Sequence, residues 1–217
     1  MNADPAFHFV TASYLIRICN QKATSLVELE DGLEHCTDAS IFFHTFQSLS
    51  RHHFLREGFS NDFAQWALAA CNLAELAEGL AEFDIREYLS LADLRRDLIA
   101  LVDHYCRIRP QEAARPAFEP FYFCETIEVT VPFELQARSL AEFREILEGI
   151  SHASFNYHFI TSRLRLHLRT NDFSHWFATG LGLQRLASRA NQIDIYTNTI
   201  ETARARLLSL IDQELHA

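Results

Sequence analysis

The sequence has few of the residues that build common enzyme motifs. Its 217 residues include six glycines and one methionine, and it contains no glycine-rich phosphate loop and no Gly-x-Ser-x-Gly turn. The five cysteines are an odd number without a Cys-x-x-Cys pair, which favours reduced thiols over a disulfide framework. No apolar run approaches the ~20 residues that span a bilayer, and no secretory signal pattern is visible. These absences predict a soluble, cytoplasmic protein without a cofactor.

Positive charge is also scarce. The chain has 19 Lys and Arg residues against 29 Asp and Glu residues, for a formal net charge of -10. Because binding to nucleic acids and to anionic membranes depends on Lys and Arg, this balance disfavours both partners. By contrast, 18 phenylalanines and 48% apolar residues predict a folded protein with an aromatic core.

The two halves of the sequence resemble each other at a shift of 114 positions. The motif Ser-Leu-x-Glu at residues 25–28 recurs at 139–142. After a shortening of four residues in the second copy, Asn-Asp-Phe-x-x-Trp at 61–66 recurs at 171–176. The matches indicate an internal duplication whose copies pack as one pseudo-symmetric globule. The predicted divisions are a first helical repeat at 1–108, a proline-containing linker at 109–120 and a second helical repeat at 121–217.

The hydrophobic pattern predicts a mainly α fold with about five helices per copy and a short β-strand at the start of each copy. Residues 121–131 alternate aromatic and β-branched side chains, and Pro132 is expected to end this strand. Residues 7–17 fit a strand or a helix equally well. The first copy's helices are predicted to begin near Ser25, Ser40, Asn61, Leu73 and Ser90, mostly at capping residues.

A stripe of polar side chains on the second predicted helix indicates a binding site. Positions 40, 44, 48 and 51 step by four, four and three, so they share one face of an α-helix. Because a guanidinium offers a planar fork of donors, we expect this face to bind a small anionic ligand or a protein partner in a groove between the repeats. The alternative is that both histidines are buried and have structural hydrogen-bond partners. The residues predicted to line the groove are His44, Arg51, His158 and Arg165.

A metal-dependent hydrolase is the alternative function. Its ligands would be His44, His53 and Asp62, since imidazole and carboxylate groups bind zinc and related metals. The spacing argues against this site, because no His-x-x-x-His or His-Glu-x-x-His pair brings two ligands onto one helical turn. Asp62 also follows a predicted N-cap, which gives it a structural role.

Three segments of the first copy carry a resemblance to a known group of proteins. They are Ser40–His44, His52–His53 and the Asn-Asp-Phe-x-x-Trp motif at 61–66, each with a second-copy counterpart. Together they resemble an uncharacterised prokaryotic family, a domain of unknown function, over nearly the whole chain. The resemblance implies a duplicated helical unit and no particular catalytic residues.

Overall fold

The computed structural model describes residues 6–47, 59, 61–85, 87–165, 170–194 and 198–216. Helices dominate, so the mainly α prediction is confirmed, and two long strands accompany them. In the part of the chain that the structure describes, no helix combines the length and the apolar content needed to cross a membrane.

The elements follow one another in an order that is similar in the two halves of the chain. They are β1 (Phe7–Ala23), α1 (Leu26–His35), α2 (Asp38–Phe42), a π-helical turn (Phe43–Gln47), α3 (Asp62–Ala69), α4 (Ala74–Ala81), α5 (Leu91–Ile108), α6 (Pro110–Ala113), β2 (Phe121–Ala137), α7 (Leu140–Gly149), α8 (His152–Asn156), a second π-helical turn (Tyr157–Thr161), α9 (Ser162–Arg165), α10 (Asp172–Thr179), α11 (Gln184–Asn191) and α12 (Ile200–Leu215).

The first helix of each half begins at its predicted cap. The hydroxyl of Ser25 accepts a hydrogen bond from the amide of Glu28, and Ser139 does the same for Glu142 at the start of α7. The glutamate side chain does not return to the cap's own amide, as a capping box would predict. Glu28 instead accepts from the amide of Thr24, one residue earlier, at 2.6 Å. The amides of Glu28 and Thr24 are thus both satisfied by neighbouring side chains.

The second helix differs from its prediction in both halves. It begins at Asp38, because Thr37 is the cap and accepts from the amide of Ser40. At Phe43 the α-helix changes to a π-helical turn, and the same change occurs at Tyr157. A π-helical turn contains more residues than an α-turn, yet two positions spaced by four still face the same strand residue. The hydroxyl of Ser154 donates to the carbonyl of Val10 at 2.7 Å, and Nε2 of His158 accepts from the Val10 amide at 2.9 Å. The continuous α-helix predicted over these positions is thus interrupted, and the last two stripe positions of the first copy, 48 and 51, lie outside the described residues.

The two strands pair with each other in a two-stranded sheet. Residues 7–17, which fitted either structure, are strand, and each strand has 17 residues. β2 continues through Pro132 to Ala137, so the prediction that this proline ends the strand was wrong. Each strand of a two-stranded sheet has one edge without a neighbouring strand, where a residue without an N–H is tolerated.

Two compact units divide the chain at places other than the predicted repeat boundaries. Unit 1 contains Met1–Tyr14 and Glu128–Ala217, and unit 2 contains Leu15–Ile127. Each strand therefore contributes to both units. The predicted linker at 109–120 lies inside unit 2, and it includes α6, in which Pro110 occupies the first turn of a helix.

In unit 1, the beginning of β1 packs on helices that follow β2. The rings of Phe7 and Phe143 are 5.3 Å apart, Phe7 and Trp176 are 5.6 Å apart, and Phe9 and Phe143 are 5.3 Å apart. Phe9 and Phe143 are fully buried. Because burying one phenylalanine contributes roughly 1.5–3 kcal/mol, these rings fix the start of β1 in unit 1. The first strand of one predicted repeat thus completes the core of the other.

Unit 2 contains the matching arrangement at the beginning of β2. The ring of Phe121 lies 5.2 Å from Phe63 and 5.8 Å from Trp66, and Phe123 is fully buried. The Trp66 indole also donates to the carbonyl of Glu119 at 2.7 Å. The strand of the second predicted repeat therefore belongs to the core around the first repeat's helices.

Candidate functional site

A buried histidine holds β1 in unit 1. His158 lies in the second π-helical turn and is 3% exposed. Its Nδ1 is 2.8 Å from the carboxylate of Asp172, and its Nε2 is 2.9 Å from the amide nitrogen of Val10 in β1. Because the amide can only donate, Nε2 must accept its hydrogen bond. Nδ1 therefore carries the ring proton and donates a hydrogen bond to Asp172. We call this set of groups the His158 anchor.

Unit 2 has an anchor with the same geometry. His44 is 4% exposed in the first π-helical turn. Its Nδ1 lies 2.8 Å from the carboxylate of Asp62, and its Nε2 accepts from the amide of Cys124 in β2 at 2.9 Å. The two predicted site histidines therefore each connect a helix, the following Asn-Asp motif and a strand. We call this set the His44 anchor.

The aspartates of both anchors are positioned by helix caps. Asn61 accepts from the amide of Ala64 at 2.8 Å and donates to the carbonyl of Leu80 at 2.8 Å, which fixes the start of α3. Asp62 occupies the first turn, where a carboxylate is favoured by the helix dipole. The capping role predicted for the Asn-Asp pair is confirmed. The metal-site alternative expected His44 and Asp62 to lie close together, but their direct hydrogen bond was not predicted.

Both ring nitrogens of each anchor histidine are bound to protein groups. A catalytic His-Asp pair presents its second nitrogen to the substrate, but here that nitrogen accepts from a backbone amide. This geometry favours the structural alternative for His44 and His158, in which they orient strands. Ligand binding by these two histidines stays a prediction.

The other predicted site residues fall where the structure gives no description. Arg51 and His53 lie outside the described residues, and the side chain of Arg165 does as well. The structure therefore brings His44 together with Asp62 but does not place the third proposed metal ligand. Within the described ranges, no group of three or more His, Cys, Asp and Glu side chains is arranged to hold a metal ion.

A polar cleft in unit 2 was not predicted from the sequence. The buried carboxylate of Glu125 accepts from the hydroxyl of Thr37 at 2.6 Å and forms an ion pair with Arg17. The hydrogen bond from Thr37, followed by the charge of Arg17, lowers the pKa of Glu125. The cleft has a volume of about 600 Å³, and its lining residues are Arg17, Ile18, Cys19, Asn20, Gln21, His35, Thr37 and Glu125.

One part of β1 exposes apolar side chains to solvent. Leu15, Ile16 and Ile18 are 61%, 57% and 64% exposed, and all three belong to unit 2. We call residues 15–18 the ribbon segment. In unit 1, β2 shows the same feature less strongly at Val129 and Val131, which are about half-exposed. Large aliphatic residues grouped on a sheet in this way commonly mark an interaction surface.

The fold and the anchors define a class of mainly helical protein in which buried histidines secure the two strands of a small sheet. A model for a family of unknown function, DUF5752, matches residues 4–212, and the chain belongs to this family. The solved structure of OrfY from Thermoproteus tenax is similar, with a TM-score of 0.85 and 28% sequence identity. The similarity covers 100% of this chain and 99% of that one. No curated protein matches the chain significantly.

Proposed function

We propose that this protein is a non-catalytic interaction module that binds a partner protein through the ribbon segment. The exposure of Leu15, Ile16 and Ile18 carries the proposal. A fully buried aliphatic side chain contributes roughly 1.5–3 kcal/mol, so covering the exposed half of each one stabilises a complex by about 1 kcal/mol. Ile16 and Ile18 are two positions apart and so share one face of the strand, where they provide an apolar centre of the kind found in specific protein interfaces, while Leu15 faces the opposite side.

The backbone of the sheet supports the same proposal. Among the residues that the structure describes, the sheet has two strands, so each strand has one edge whose N–H and C=O groups lack a strand neighbour. An extended segment of another protein can pair with such an edge, while its side chains contact the apolar residues beside it. A two-stranded sheet is also marginal by itself, and an added strand stabilises it. We therefore infer that the partner supplies an extended, apolar segment.

The geometry gives less support to the other functions considered. The two anchor histidines are occupied, so the groove predicted from His44, Arg51, His158 and Arg165 would depend on its arginines. A metal-dependent hydrolase would need His53 to join His44 and Asp62. The net charge of -10 remains unfavourable for a nucleic-acid partner.

Substitutions in the ribbon segment test the proposal. Ile16→Glu and Ile18→Glu place charges on the apolar surface, and Leu89→Glu is the matched control because Leu89 is 64% exposed outside the sheet. A protein that the wild-type chain captures from its source cells is purified, and its binding to each variant is measured by calorimetry. We expect the ribbon variants to bind at least 10-fold more weakly and the control to bind normally.

Two measurements complete this experiment. Circular dichroism of each variant shows whether it keeps its helices, as exposed substitutions should. Light scattering of the purified wild-type chain shows whether it associates with itself. A dimer that Ile18→Glu dissociates would identify the partner as a second copy of the chain. Equal binding by all variants would refute a role for the ribbon segment.

A further inference from the structure

Two arginines in unit 1 have buried N–H groups without an acceptor. In the described part of the chain, Nε of Arg163 and both Nε and Nη2 of Arg204 are inaccessible to solvent and make no hydrogen bond. Arg163 makes one long bond, from Nη2 to the carbonyl of Asn191 at 3.4 Å. Buried donors without partners are rare in folded proteins, and each costs about 1–3 kcal/mol. Two neighbouring side chains with this defect call for an explanation.

Both guanidiniums lie against the same pair of aromatic rings. Cζ of Arg163 is 5.9 Å from the centre of the Phe159 ring, and Cζ of Arg204 is 5.6 Å from that of Phe155. The two rings are 5.0 Å apart and fully buried. Stacking on a ring holds a guanidinium in place, but it supplies no acceptor for N–H groups that point away from the ring.

The other half of the chain shows what Arg204 lacks. At the matching position in unit 2, Arg95 donates to the carbonyls of Leu33 at 2.6 Å and Cys36 at 2.8 Å. It also pairs with the carboxylate of Asp38 at 2.7 Å. At the repeat shift of 114, the residue that corresponds to Asp38 is His152. The second half has thus replaced the acid that neutralises Arg95, and it has kept the arginine.

Glu201, a carboxylate whose pKa is affected by Arg204, does not neutralise that arginine as Asp38 neutralises Arg95. Glu201 pairs with His152 at 3.1 Å, and its pKa is lowered first by backbone and side-chain hydrogen bonds and only weakly by Arg204. Burial lowers the pKa of Arg163 to about 10, which leaves its guanidinium charged at neutral pH. Two cations therefore lie beside one aromatic pair, and no carboxylate among the described residues is hydrogen-bonded to either.

We propose that Arg163 and Arg204 form a binding site for a small oxyanion, a phosphate or carboxylate group. The planar fork of a guanidinium matches the oxygens of both groups, and a charged acceptor is the partner that these donors lack. As whole residues Arg163 and Arg204 are neither fully buried nor exposed, so an anion approaches from their exposed side and has to displace packed atoms to reach the buried N–H groups. The site lies in unit 1 and uses none of the ribbon residues, so it is independent of the interaction proposed above.

The test measures thermal unfolding with inorganic phosphate or with citrate. We expect one of the two anions to raise the Tm of the wild-type chain saturably, by about 5 °C at 100-fold excess over Kd. Arg163→Gln and Arg204→Gln should each weaken binding at least 10-fold. Arg185→Gln, which removes an exposed arginine of the same unit, should bind as the wild type does. The anion that acts identifies the group as phosphate or carboxylate.

Arg204→Met separates anion binding from a structural role. If the unsatisfied N–H groups of Arg204 serve to bind an anion, the methionine variant should have an unchanged or higher Tm without anion. Adding the anion should then not raise the Tm of this variant. A lower Tm without anion together with an undiminished rise would overturn the proposal. It would also be overturned if neither anion stabilised the wild type, or if both stabilised the double Arg163→Gln/Arg204→Gln variant equally.

Discussion

Replacing His158 with alanine should release the start of β1 from unit 1. The change removes the acceptor for the Val10 amide, and a buried donor left without a partner costs about 1–3 kcal/mol. It also removes a ring that lies 4.9 Å from Phe7 and 5.5 Å from Phe173, and the remaining cavity costs about 2 kcal/mol. The free energy of unfolding should therefore fall by about 3–5 kcal/mol, out of the 5–15 kcal/mol typical of folded domains.

Urea unfolding and hydrogen exchange measure this effect separately. Exchange followed by mass spectrometry should show faster exchange for the peptide containing Val10 in the His158→Ala variant. The peptide containing Cys124 should keep its protection, because its amide donates to His44. His44→Ala should produce the opposite pattern. Each substitution should therefore release one particular strand and also lower the free energy of unfolding.

His175→Ala is the control, since His175 is an exposed histidine of the same unit. It should change the free energy of unfolding by less than about 0.5 kcal/mol. If His158→Ala costs less than about 1 kcal/mol and Val10 keeps its protection, the anchor is not what holds the strand. The histidine would then be better explained as a ligand-binding residue, as the stripe first indicated.

Two further predictions concern unit 2. The pKa of Glu125 is lowered by the hydroxyl of Thr37 and the charge of Arg17, so its contribution to stability is complete above the unfolded value near ~4.3 and is lost as the pH falls through the folded pKa. Urea titrations should therefore show the wild type losing more stability than Glu125→Gln below about pH 4.3. Gly32→Ala would place a methyl group within 2.4 Å of the buried Phe123 ring, and the cost of about 1–3 kcal/mol should exceed the gain of about 1 kcal/mol in helix propensity. A rise in Tm for Gly32→Ala would show that the ring can move aside.

Local features of the fold were predictable from the sequence. The caps Ser25, Asn61 and Ser90 start helices where expected, because a cap depends on bonds to residues two or three positions away. Mainly α architecture and family membership followed from similar short-range patterns. The internal duplication itself stays an inference from the sequence match, although the His44 and His158 anchors have the same geometry.

Long-range features were not predictable. The acceptor role of His44 depends on an amide 80 positions away, and nothing near His44 in the sequence identifies Cys124. The π-helical turns at Phe43–Gln47 and Tyr157–Thr161 interrupt helices that were predicted to be continuous. Pro132 was expected to end its strand. A proline is tolerated where its nitrogen faces the unpaired edge of a strand, and the sequence does not show which positions face that edge. The arginine site was missed because burial of Arg163 and Arg204 against Phe155 and Phe159 is set by tertiary packing.

The division of the strands between the units has a consequence for synthesis of the chain. Unit 2 is one continuous segment, Leu15–Ile127, so it can fold as soon as Ile127 has left the ribosome. Unit 1 contains Met1–Tyr14 and resumes only at Glu128, so Phe7 and Phe9 are made before unit 2 but find their core after it. These two apolar residues emerge before the helices that cover them, and unit 2 matures as an insertion within a domain that is still incomplete.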